Sequence, residues 1–139
     1  MAFLLSSGKP VTEAFGKTAS AAIACNAVLE AASGLVNPAD AADISLFGIS
    51  QQAVTSADAN YALTTPIGVI VLNPDLVFEA DVGTGTATAT LIGTRCDLKD
   101  SVSIDVTATA HNQVTIVGFI SATKVLVRFN SSYQFVNAA

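Results

Sequence analysis

Gly83 and Gly85, in the stretch DVGTGTATATLIG (81–93), are the first residues whose types and spacing could do chemistry. A G-x-G-x-x-G/A run after a strand opens a dinucleotide-binding turn. Its third small residue lets a helix pack closely on the strand, and the helix N-terminus receives the pyrophosphate. Here the third position is Thr88, and the residues that follow are TATATLI. That segment is alternating and β-branched, a poor helix start and a good strand. A P-loop fails too, because no Gly-Lys-Ser/Thr follows. The stretch therefore reads as a hairpin turn at Gly83-Thr84-Gly85, joining LVFEADV (76–82) to a strand over TATATLIG (86–93). That strand would carry Thr84, Thr86, Thr88 and Thr90 on one face and Ala87, Ala89 and Leu91 on the other.

The other reactive side chains are thinly spread. His111 is the only histidine; it sits in TATAHNQV (107–114), and no G-x-S-x-G elbow occurs. It reads as an exposed turn histidine without a nucleophile to serve. Asp97, Asp100 and Asp105 lie in CDLKDSVSID (96–105) without the alternate oxygens and central glycine of a calcium loop, so they read as solvated turn residues. Glu79 and Asp81 share one strand face and could act as a glycosidase pair only inside a cleft; the face reads as solvent or interface. Cys25 and Cys96 stand outside any CxxC, and with one histidine they are too few for a structural zinc site. Buried free thiols are expected, with a disulfide between them left open. No catalytic residue, metal or cofactor is expected.

Composition narrows the partners. Six Lys/Arg against eleven Asp/Glu give a net charge of −5, and the basic residues Lys9, Lys17, Arg95, Lys99, Lys124 and Arg128 are scattered. Nucleic-acid binding rests on clustered Lys and Arg, so none is expected. Hydrophobic residues make up 51% and charged residues 12% of the chain, against about 25% charged in ordinary soluble domains. Part of the surface is expected to be covered by copies of the chain or by a partner. MAFLLSSGKP lacks the positive region of an export signal. The longest aliphatic run, 67–72, stops at Asn73-Pro74-Asp75, far short of the roughly 20 residues of a membrane span.

The elements that must position these groups are strands from residue 46 onward. LFGISQQAV (46–54) precedes a polar loop, 55–66, and IGVIVLN (67–73) is apolar on both faces, as a central buried strand is. LVFEADV places Leu76, Phe78, Ala80 and Val82 on one face; SVSIDVTA (101–108) places Val102, Ile104 and Val106 likewise. QVTIVGFIS (113–121) and TKVLVRFN (123–130) complete the pattern, the latter with Val125, Val127 and Phe129 opposed by Lys124, Leu126, Arg128 and Asn130. Runs at this spacing without βαβ crossovers predict one all-β domain, a compact β-barrel or β-sandwich. TASAAIACNAVLEAASG (18–34) supports either one short helix ended by Gly34 or two strands broken at Asn26, and the β context favours strands.

The order of these features resembles a known family. A small-residue first third (SAAIACNAVLEAASGLVNPADAADISLFGISQQ) is followed by TSADANYALTTPIGVIV, then VFEADVGTGTATATLIGTRCDL, SIDVTA and VLVRFN. This run, about residues 18–130, is similar to the small all-β virion proteins of tailed bacteriophages, the head decoration or capsid-stabilising (cement) proteins. The resemblance implies a β-barrel or β-tulip-like domain made in the host cytoplasm and seated in the virion on the outer capsid surface. It also implies self-association, a trimer being favoured, and bridging of neighbouring major capsid protein subunits through an N-terminal arm. On this chain the arm would span residues 1–17 ahead of a β domain over 18–139, with Ala2, Phe3, Leu4, Leu5, Pro10 and Val11 as its capsid contacts. Adding an extended arm to a sheet edge supplies main-chain hydrogen bonds without special side chains. The alternative is another virion module, a tail or fibre component binding a host surface or carbohydrate. The absence of Trp, with only Tyr61 and Tyr133 to stack on sugars, weakens it.

Overall fold

The computed structural model describes residues 3–41, 46–73 and 75–130. Ala2, Pro74 and Tyr133 lie outside these. In chain order the strands are β1 (Phe3–Ser7), β2 (Val11–Gly16), β3 (Val28–Ala32), β4 (Leu35–Pro38), β5 (Leu46–Ser50) and β6 (Pro66–Val71). β7 (Val77–Thr84), β8 (Arg95–Asp100), β9 (Ser103–Asp105), β10 (Val114–Ser121) and β11 (Lys124–Phe129) follow. The only helix among the described residues is one 3₁₀ turn, Ala89–Leu91. The domain is all-β, as expected.

Five strands close into a small barrel in the order β7-β11-β10-β8-β9, and β9 returns to β7. The closing pair is the only parallel one between named strands, with Val82 opposite Ile104 and Thr84 opposite Asp105. β1 lies outside this ring, antiparallel on β7, with Phe3 opposite Ala80 and Leu4 opposite Glu79. The second sheet runs β2-β6-β5-β3-β4, antiparallel throughout. It curls until Lys17, just past β2, bridges Val36 on β4.

Period-two alternation sorts the side chains onto two cores. The larger fills the barrel and the space between it and the second sheet, where Phe3, Phe78 and Phe129 meet Val28, Ile49 and Ile70. The Phe129 ring centre lies 5.5 Å from that of Phe3 and 5.6 Å from that of Phe78. Burying each such side chain contributes about 1.5–3 kcal/mol, so this cluster dominates stability. The smaller core lies on the opposite face of the second sheet and gathers Ile23, Leu29, Val36, Val54, Ile67 and Val69 under Phe15, Phe47 and Tyr61.

The expected alternation holds over 123–130, where Val125, Val127 and Phe129 are buried, and over 78–81, where Phe78 and Ala80 are buried. Val77 is buried as well as its neighbours, and the alternation of 113–121 is lost after Ile116. Residues 18–34 hold strand, not helix. Of the two strands expected there only the second forms, as β3; the first is no strand, and Asn26 between them takes a left-handed φ of 60°. Ile23 then forms a bridge with Val54, and β3 begins at Val28. After β6 the Asp75 N–H donates to Asn73 Oδ1 at 2.9 Å, a local side-chain bond of the kind that closes turns.

Two expectations are corrected. Gly85 ends β7 at φ 88° as a turn residue should, but no strand follows over 86–93. One edge of β7 beyond Val82 is held by β9 and the other by the β10–β11 turn, where Val82 N–H reaches Thr123 O at 2.9 Å. A returning strand has no free ladder to join. Its Thr and Ala side chains also have little to bury, and only Ala87 among residues 86–93 is buried. The segment lies instead as a strap on the β10–β11 hairpin, through Ala87 N–H to Ala122 O and Gly93 N–H to Ile116 O. The second correction concerns residues 1–17: within the described part, 3–7 and 11–16 are strands of the two sheets and do not project as an arm. Phe3 is the cause, since its ring sits wholly inside the barrel core.

Candidate interaction surface

Of the residues singled out for chemistry, Asp97 is where several meet: β9 sets Asp105 opposite it and His111 folds over it. Asp97 sits on β8 with 3% of its surface exposed. Its Oδ1 accepts the main-chain N–H groups of His111 at 2.8 Å and Asn112 at 2.6 Å. His111 Nδ1 lies 3.5 Å from Asp97 Oδ2, buried and without a hydrogen-bond partner. Asp97 is therefore no solvated turn residue; it is the buried anchor of the turn before β10, and Asn112 adopts a left-handed φ of 51° to make it. His111 is half-exposed and paired to this carboxylate, more than the bare turn histidine expected. The thiol next to it in sequence, Cys96, is pushed up to about 12 by burial and by the charges of Asp97 and Asp105. That keeps it a protonated, unreactive group at neutral pH.

Asp100 and Asp105 do act as turn residues. Asp100 Oδ1 accepts from Val102 N–H and Ser103 Oγ, each at 2.9 Å, and Asp105 Oδ1 accepts from Thr107 N–H at 2.9 Å. Such self-bonding closes turns locally. Glu79 and Asp81 flank Lys124 on the outer barrel face, with Nζ–O distances of 3.9 and 3.4 Å. Partial burial works to raise the Asp81 carboxyl, but it lies below the ordinary carboxylate range, with the Lys124 ammonium acting to lower it. The cysteines are both free; Cys96 is buried as expected and Cys25 is exposed. Among the described residues no three His, Cys, Asp or Glu gather as a metal would need.

Sequence reasoning missed Lys17. It has no exposed surface, and its Nζ donates to Thr18 O and Tyr61 O at 2.8 Å and to Leu63 O at 3.0 Å, beneath the Tyr61 ring at 5.7 Å. Three donors meet three carbonyls, which ties the 55–65 loop over the smaller core. Nothing local in GKT announces this, because two of the acceptors lie more than 40 positions away.

What remains for recognition is surface. The expected contacts divide: Phe3 is buried, Leu4 and Leu5 are half-buried, and Pro10 and Val11 are exposed. β2 is exposed from Val11 to Ala14, with Val11 at 55%. It pairs with β6 alone, and among the described residues no strand covers its other edge along Val11–Ala14. Beside it, between β2 and β4, opens an apolar groove of about 270 Å³ lined by Phe15, Leu35, Val36 and Phe47. A wider groove of about 650 Å³ separates 22–25 and 53–55 from the 100–102 turn. Ile92 on the strap and Val117, Phe119 and Ile120 on β10 are exposed as well. Two register slips in β10, after Ile116 and after Phe119, take Val117 and Ile120 out of the ladder. Bulges of this kind re-aim side chains, and alternation in sequence does not reveal them. Compared with known proteins, the chain matches no family model and no curated relative.

Proposed function

We propose that this chain is a structural virion protein that binds the outside of an assembled phage head and stabilises the lattice by bridging major capsid subunits, self-associating as a trimer. The observation that carries the reading is the outer edge of β2. Over Val11–Ala14 it keeps strand geometry, exposes both faces, and offers main-chain groups that no other strand takes among the described residues. An extended segment of a capsid subunit adding to this edge gains ladder hydrogen bonds, and alternate side chains can enter the neighbouring groove. Low charge density, an aliphatic core and the resemblance in strand order support the same reading. Each contact can be modest, because many copies on one lattice act together. A protein that binds the assembled shell and not its free subunits stabilises the shell by mass action.

The test is direct. Purified protein is incubated with empty mature heads and with unexpanded precursor shells of its virus, and bound copies are counted. Saturable binding to the mature lattice is expected, and a Val11→Asp variant, altered only at an exposed side chain, should bind more weakly with its fold intact. Absence of binding to either shell would sink the proposal.

A further inference from the structure

The barrel ring closes through β7 and β9 without any help from β1. β1 is thus supernumerary to the ring. Removing it breaks no ring pairing, but it uncovers the β7 edge at Val77–Ala80 and empties the core site of the Phe3 ring. A bare strand edge beside an apolar hole is a state that any matching strand will fill. The strand that matches in register and in side chains is β1 itself, from the same chain or another.

The link to the rest of the body favours the second source. Only Gly8, Lys9 and Pro10 carry the chain from the barrel to the other sheet. Gly8 takes a φ of 105°, and a side chain there would meet Leu76 Cδ2 at 2.8 Å and the Asp75 carbonyl at 3.1 Å. The β1–β7 register already slips between Leu5 and Ser7. Short hinges invite exchange, because a strand that leaves its own body can remake every contact in trans on a second copy. Pro10 adds to this by holding Lys9 extended.

We propose that β1 exchanges between copies of this chain, the strand of one copy occupying the β7 edge and the Phe3 site of a second. The exchange requires no shell and stands apart from the capsid reading.

The experiment uses the pair Leu4 and Glu79, which face each other across the ladder; opposed Cβ atoms at about 4.5–5.5 Å are near the separation that a disulfide closes. Leu4→Cys and Glu79→Cys chains, each also carrying Cys25→Ser, are mixed, refolded together at high concentration with reductant, then oxidised. A covalent heterodimer, doubling the mass on a non-reducing gel, is expected. A Leu4→Cys chain mixed with Thr109→Cys, an exposed position on a different turn, measures random collision. The double variant in one chain shows that the pair can close. Heterodimer no more abundant than the collision control, with the double variant closing within its own chain, overturns the proposal. If the double variant fails to close, light scattering on the unaltered chain refolded at high concentration decides. A species of at least twice the monomer mass that survives dilution supports exchange, and monomer throughout overturns it.

Discussion

The Lys17 ammonium donates to the Tyr61 carbonyl at 2.8 Å across 44 positions of sequence, from a side chain with no exposed surface. The same nitrogen satisfies Thr18 O and Leu63 O. Lys17→Met keeps the apolar stem and leaves three carbonyls without their donor. Unfolding free energy should fall by roughly 2–4 kcal/mol, read as a lower urea midpoint, with faster proteolysis in the 55–65 loop. An unchanged midpoint would show that water replaces the ammonium freely.

Asp97 is expected to behave as a structural acceptor. Asp97→Ala strips the partner from two main-chain N–H groups and should cost roughly 2–4 kcal/mol. Asp97→Asn retains an acceptor oxygen and should cost clearly less. Equal losses for the two, measured by denaturant titration, would place the effect in the charge and not in the hydrogen bonds.

The two thiols should separate kinetically. A thiol reagent should label Cys25 at once and Cys96 only after unfolding. The Cys96 thiol keeps its proton in the folded chain up to about 12, against an ordinary 9.0. Between these values the unfolded chain binds fewer protons than the folded one, so stability falls as pH climbs through that window. Cys96→Ala should flatten this alkaline limb, and a limb of unchanged slope would refute the assignment.

Asp81 contributes to the opposite limb. Its folded carboxyl is held below 3.8, so its contribution is present above that value and fades as pH falls below it. Melting temperatures of the native chain and of Asp81→Asn should differ at pH 5 and converge toward pH 2. Because the group is about a third exposed, the difference should be small and shrink in high salt. A gap that persists at low pH points to packing instead.

Much of the barrel was readable because its strands bury one face only. Val125, Val127 and Phe129 alternate with Lys124, Leu126 and Arg128, and the pattern carries its own register. The 86–90 stretch alternates just as cleanly in Thr and Ala, but neither face has much to bury, so the ladder partners decided its shape. β8 shows the reverse failure. Cys96, Asp97 and Leu98 are all buried in a row, because the 109–113 turn folds over Asp97 from 14 residues away. Phe3 is fixed by Phe129 at the far end of the chain, and no local pattern announces a contact of that span. The β2 edge was near the residues expected to make contact, yet for a different reason: Val11 is surface because its strand lies at the border of a sheet, and Pro10 is in the link that leads to it.

β7 lies between β1 and β11, and both neighbours run antiparallel to it. The first and last strands of the body are therefore parallel to each other. Phe3 stands level with Ala80, whereas Val127 stands level with Phe78 and the chain leaves β11 farther along in the same direction. Tension applied to the two ends would slide β1 and β11 past β7 in opposite directions, loading both ladders at once along their length. Strands sheared in this way yield together, whereas strands peeled from one end yield bond by bond. Such mechanical resistance comes from strand order alone.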